Sequence, residues 1–326
     1  MMARPEKTGL SMFPDRTRQP VLTVHLGGGL GNQLFQYAFG RRMALANHAQ
    51  LCMDATAYQN VAQPDPERGV RILGLQHFGI VGSIVSRKAN AGQATPWFRR
   101  KLRKYWNKSI RLLENRKPYY LRREVYEAEE KHFVFDPLVY NRVITSDVDY
   151  HGFWQTEKYF LEIEPIVRQE LTVKGRLGGP NAEMASMIRA TPSVCIHIRH
   201  GDNANIVAAA LGVLPHEYFQ QAITELVRDL PEARFYVFSD DIAWARQKLC
   251  VDFPTTFVNH NGDARNYEDL RLMSLCRHHI VANSTFGWWG AWLGKKPGQI
   301  VYAPRRYYQN IDRRNPDLYP PHWRLI

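Results

Sequence analysis

Between residues 21 and 54 a β-rich run, a glycine loop, an apolar helical stretch and a second β-rich run follow one another without a gap. Val21 to Leu26 is the first run. The loop is Gly27-Gly28-Gly29-Leu30-Gly31-Asn32-Gln33. Asn32 to Ala46 carries Leu34, Tyr37, Ala38, Met43 and Leu45 near helical spacing, and Gln50 to Met53 reads as a strand ending at Asp54. Strand, glycine turn, helix, strand is the opening of an α/β unit with a parallel sheet. The stretch 60–95 reads as irregular, and 96–113 as helical. The same α/β rhythm returns later: strands over Ser193–Ile198, Arg234–Phe238, Thr256–Val258, His279–Ala282 and Gln299–Tyr302, with helices between them. The glycines and proline of 174–182 mark a linker. Two α/β halves joined by that linker make a cleft, and such folds bind ligands where strands end.

Composition bounds the class. The chain has 326 residues, 44% hydrophobic and 23% charged, as a soluble globular enzyme has. No run approaches the roughly 18 apolar residues of a membrane-spanning helix. Residues 1–20 read as a loose leader without a secretory signal. Cys52, Cys195, Cys250 and Cys276 are scattered, which favours free thiols in a reducing, cytoplasmic compartment. The net charge of +12 is concentrated: Arg87 to Arg123 holds thirteen basic residues and one acid, Glu114, and the rest is balanced. On a helix, Phe98, Leu102, Tyr105, Trp106 and Leu113 gather on one side of that segment. This pattern suits the surface of an anionic membrane, or a helix packed on its own domain.

Four segments carry chemistry. The glycine loop lets backbone N–H groups approach a phosphate, or is a tight turn with no ligand. It lacks the third glycine of the dinucleotide fingerprint, although Asp54 stands at a plausible ribose distance. His197-Ile198-Arg199-His200-Gly201-Asp202 follows a strand. Arg199 can bridge two phosphate oxygens. Asp202 is a candidate base or the partner that orients Arg199, and a structural Arg–Asp pair is the alternative. In Phe238-Ser239-Asp240-Asp241, an aspartate can accept from a guanine edge or cap the next helix. Asn283-Ser284-Thr285-Phe286 offers hydroxyls and N–H groups at a helix start, while Trp288 and Trp289 read as core. Asp147-Val148-Asp149 is a D-x-D that reads as a surface turn rather than a metal site.

In combination and order, GGLGNQLFQYAFGRRMA at 28–44, GFWQTEKYF at 152–160, HIRHGD at 197–202, FSDD at 238–241 and LMSLCRHHIVANSTFGWWGAWL at 272–293 resemble the bacterial α-1,2-fucosyltransferases of glycosyltransferase family 11. The resemblance implies a GT-B-like fold, with an acceptor-side domain over 21–174 and a GDP-fucose-binding domain over 175–326. It implies inverting transfer of L-fucose from GDP-β-L-fucose to the 2-hydroxyl of a terminal β-galactoside, for surface glycan or O-antigen synthesis, without metal or cofactor. The acceptor can be lipid-linked, with the enzyme at the inner face of the membrane. By position, Arg199 neutralises the donor diphosphate; His197 and Asp240 lie near guanine; Asn283, Ser284, Thr285 and Phe286 contact phosphate; Gly31, Asn32 and Gln33 line the cleft. The family pattern H-x-R-R-G-D has an arginine where this chain has His200. Competing readings are α-1,6 linkage, a nicotinamide enzyme, and a nucleic-acid binder using Trp97, Trp106 and Tyr119 in the basic patch. The last fits least, since no nucleic-acid motif accompanies the patch.

Overall fold

Val21–His25 (β1) and Gln50–Asp54 (β2) pair in parallel, and Leu30–Ala46 (α1) carries the chain between them. The structure is a computed structural model that describes residues 18–59, 61, 71–86, 109, 113, 114, 116–200, 211–249 and 251–326. Asp202, the helix expected over 96–113 in all but two residues, and most of the leader and of the basic segment lie outside the described residues. Ser83–Val85 (β3), Glu124–Tyr126 (β4) and Val148–His151 (β5) complete a parallel sheet ordered β3-β2-β1-β5-β4. Pro137–Tyr140 (α2) precedes β5, and Glu164–Glu170 (α3) follows it.

Gly175 and Gly179 take positive φ in the expected linker, and Pro180 opens Pro180–Arg189 (α4). The second half runs Ser193–Ile198 (β6), His216–Asp229 (α5), Arg234–Ser239 (β7), Ile242–Lys248 (α6), Thr255–Val258 (β8), Asn266–Leu275 (α7), His278–Val281 (β9), Thr285–Leu293 (α8), Val301–Ala303 (β10) and Arg324–Leu325 (β11). Its six strands are parallel in the order β11-β10-β9-β6-β7-β8. This is the α/β architecture with two parallel sheets that the sequence predicts.

Strands β3, β4 and β5 are absent from the sequence reading, because three or four residues carry too little periodicity. The D-x-D is not a surface turn. Asp147 accepts from Val21 N at 2.9 Å, which holds the start of β1, and Val148 and Asp149 belong to β5.

Helix α1 is buried nearly all round, as a helix sandwiched between two apolar layers must be. One layer is the sheet, through Leu22, Val24, Leu51 and Met53; the other is α8. Phe35 lies 4.6 Å from Trp288 and 4.9 Å from Trp289, and Phe160 stacks on Trp289 at 5.5 Å. The tryptophans of α8 are core, and each finds an acceptor for its N–H. Trp288 donates to Leu318 O at 2.8 Å, Trp289 to Gly31 O at 2.9 Å, and Trp292 to Glu157 Oε2 at 2.9 Å. The largest core therefore joins the first sheet to α8 and to the tail around Tyr307, Leu318 and Trp323, across the linker. Among the described residues no helix is long and apolar enough to cross a membrane.

Trp292 is 2% exposed, and the Arg168 guanidinium sits 3.9 Å over its ring. Trp292→Ala is expected to cost about 3–5 kcal/mol, read as a lower urea midpoint. Trp292→Phe keeps an aromatic ring but leaves a smaller void and removes the N–H to Glu157, so it should cost less than alanine while still lowering the midpoint.

Candidate active site

The carboxyl ends of the two sheets meet at one contact. Helix α1 starts after the loop that follows β1, and α8 after the loop that follows β9. A Cβ on Gly31 would stand 2.6 Å from Phe286 N, from the Thr285 carbonyl carbon and from Thr285 Oγ1. Only glycine lets these first turns approach so closely. Thr285 Oγ1 donates to Asn32 Oδ1 at 2.9 Å, and Gln155 Nε2 donates to the same oxygen at 2.9 Å. Each helix N-terminus carries roughly half a positive charge. The contact thus sets two like poles together, and an anion is their complement.

The amides of the glycine motif brace this contact. Gln33 is fully buried; its Nε2 donates to Gly28 O and Ile72 O, and its Oε1 accepts from Gly74 N. Gln36 accepts from Gly27 N and donates to His25 O at 3.1 Å and Gly152 O at 2.8 Å. Gln33 therefore shapes the loop from within, and Asn32 holds Thr285 and Gln155. Glu127, also buried, accepts from Phe153 N at 2.7 Å and Trp154 N at 3.1 Å, which positions Gln155. Burial pushes its carboxyl up to about 7, against those two hydrogen bonds.

The expected donor residues divide. Ser284 caps α8, accepting from Phe286 N at 3.3 Å. Asn283 is 1% exposed and its Nδ2 donates to Leu211 O, Gly212 O and Tyr307 O, so its amide holds the tail rather than opening to a phosphate. Phe286 packs against His197, ring centroids 5.7 Å apart. His197 is buried against Gly287, where a Cβ would stand 2.7 Å from its Nδ1. Burial, with the nearby Arg199 charge, pushes its imidazole down to about 3, so it is neutral. The Arg199 charge is also felt at Tyr307. Arg199, at the end of β6, thus stands beside His197 and the tail.

His200 turns to the start of α6. Its backbone N donates to Asp240 Oδ1 at 2.7 Å, its Nδ1 lies 3.0 Å from Asp241 Oδ2, and its ring stacks on Trp244 at 4.3 Å. Asp241 is the helix cap, accepting from Trp244 N at 2.9 Å, and that bond, with His200, holds its carboxyl below the usual range. Asp240 ties the end of β7 to the end of β6. The structure brings Gly31, Asn32, Ser284, Thr285, Phe286, His197 and Arg199 to one region; Gln33 and Asn283 serve behind it. Among the described residues no group of three His, Cys, Asp or Glu could hold a metal ion.

One cluster escapes the sequence reading. His25 Nε2 lies 2.7 Å from Asp149 Oδ1, and His151 Nε2 lies 2.6 Å from Glu124 Oε2, at the carboxyl ends of β1 and β5. The signal was present as polar residues at alternate positions of VLTVH and VDYH.

The carboxyl-end loops of two parallel sheets thus meet where two helix N-termini and Arg199 lie. The sequence profile described as "Glycosyl transferase family 11" matches residues 113–326. The chain belongs to glycosyltransferase family 11 and is a glycosyltransferase. It is 28% identical over 311 residues to an Escherichia coli alpha-1,2-colitosyltransferase, spanning 93% of this chain and 98% of that one. It is 38% identical over 116 residues to the O-antigen biosynthesis glycosyltransferase WbnK of Escherichia coli, spanning 35% of this chain and 38% of that one. The fucosyltransferase NodZ from Bradyrhizobium superposes at a TM-score of 0.48 with 13% identity, over 84% of this chain and 93% of that one.

Gly31→Ala is expected to lower stability by about 1–3 kcal/mol and to depress transfer at least as far, because the overlap is with backbone. Urea titration beside a turnover assay checks both; an alanine variant with unchanged midpoint and rate would show that the helix ends do not need this approach.

Proposed function

We propose that the enzyme transfers L-fucose from GDP-β-L-fucose, with inversion, to the 2-hydroxyl of a terminal β-galactoside. The observation that carries this reading is the meeting of two helix N-termini beside Arg199. A diphosphate leaving group gains negative charge as the sugar bond breaks, and preorganised dipoles and a guanidinium stabilise it. In this reading the α8 start, Thr285 and Arg199 take that charge, and no divalent ion is assigned to the step. Asp147 and Asp149 already serve β1 and His25. The α-1,2 linkage is supported by the names of relatives, among them a bovine galactoside 2-alpha-L-fucosyltransferase. The colitosyltransferase matched along its whole length supports a second reading for the donor, GDP-colitose.

The reading is tested by GDP release from GDP-fucose and GDP-colitose against a panel of galactosides, with linkage analysis of the product. Arg199→Ala should lower kcat by about 10²–10³-fold or more, with the fold intact by circular dichroism. Arg199→Lys should rescue poorly, since a point charge does not replace a fork. Activity should persist in EDTA; loss in EDTA that manganese restores would reinstate a metal-dependent step.

A further inference from the structure

Strands of a parallel sheet are commonly apolar on both faces, because helices cover both. The first sheet departs from this. Toward α1 it presents Leu22, Val24, Leu51, Met53, Val148 and Tyr150. On the alternate positions it carries His25, Asp54, Glu124, Tyr126, Asp149 and His151. The register sets His25 opposite both Asp54 and His151, and Tyr126 opposite His151. The rings of His25 and His151 stack at 3.9 Å and 16°, and Tyr126 continues the stack at 4.4 Å and 10°.

The result is two parallel histidine–carboxylate dyads. Asp149 meets His25 Nε2 at 2.7 Å and Glu124 meets His151 Nε2 at 2.6 Å. A carboxylate on Nε2 fixes the proton there and directs the Nδ1 lone pair outward, and it stabilises the imidazolium that forms. Asp54 Oδ2 lies 3.6 Å from His25 Nδ1, beyond a hydrogen bond. The face-to-face contact at 3.9 Å lets each ring hold the other in its plane. Both histidines are 26% exposed at their side chains, within reach of solvent. His25 stands two residues before Gly27, the first residue of the glycine loop, and Gln36 fixes it there by donating to its carbonyl and to that of Gly152.

We propose that His25, oriented by Asp149, is the catalytic base that takes the proton from the acceptor hydroxyl. This assignment rests on the transferase reading above. In the step, the acceptor oxygen bonds to the anomeric carbon and its O–H bond breaks. The proton passes to His25 Nδ1 and later to water, while the anomeric carbon–oxygen bond breaks and its electron pair leaves with the diphosphate. His151, held by Glu124, keeps the His25 ring in place by stacking on it. Asp202, the base candidate from sequence, is the rival.

The test compares wild type, His25→Asn, Asp149→Asn and Asp202→Asn. It measures kcat and KM for acceptor and donor from pH 5 to 9, GDP affinity by tryptophan fluorescence, and fold by circular dichroism and urea midpoint. His25→Asn should lose about 10²–10⁴-fold in kcat, keep GDP affinity within about twofold, and lose the acid limb of the kcat profile. Asp149→Asn should lose less and shift that limb to another pH; if His25→Asn does not fold, this shift decides the matter. A folded His25→Asn with wild-type kcat overturns the assignment. So does a slow His25→Asn that keeps its acid limb while Asp202→Asn loses it. Absence of wild-type turnover with every donor and galactoside overturns the transferase reading and the base together, whereas wild-type turnover with an unaffected His25→Asn overturns the base alone.

Discussion

Two helices point their positive ends at each other where the sheets meet, and the rest of the molecule is arranged to hold them there. Bringing α1 and α8 together in this way is electrostatically unfavourable by itself. It is sustained by the absence of a side chain at Gly31, by Trp289 donating to the Gly31 carbonyl, and by Asn32 accepting from Thr285. Behind the contact lies the aromatic layer of Phe35, Phe160 and the three tryptophans of α8, whose burial stabilises the approach.

The side-chain amides show how such a site stays rigid. Loops at the carboxyl ends of parallel strands leave backbone groups without sheet partners, and buried ones must be satisfied. Gln33, Gln36 and Asn283 do this, each holding two or more backbone groups of a neighbouring segment. Glu127 does the same from the next strand.

The first sheet makes a different compromise. Its second face carries paired imidazoles and carboxylates on β1, β4 and β5. Short strands make this possible: β4 and β5 have three and four residues, so few positions on that face would otherwise contribute to a core.

Much of this was legible in the sequence. Helix α1 and strands β1, β6 and β7 announce themselves as apolar runs bounded by glycine and polar loops. The glycine loop and Arg199 stand out because their residue types suit a close approach to an anion. Residue type could not say which way an amide faces. Gln33 and Asn283 read as ligands, and they are braces, because that depends on carbonyls 39 and 72 residues distant in the chain. His25, Asp149, His151 and Glu124 each look ordinary on their own strands. Only the parallel register, which is a tertiary fact, stacks the two rings and sets a carboxylate against each. By itself the sequence determined the α/β rhythm and the family. The tertiary structure decided which side chains meet, because hydrogen-bond partners and charge pairs are set by distance in space.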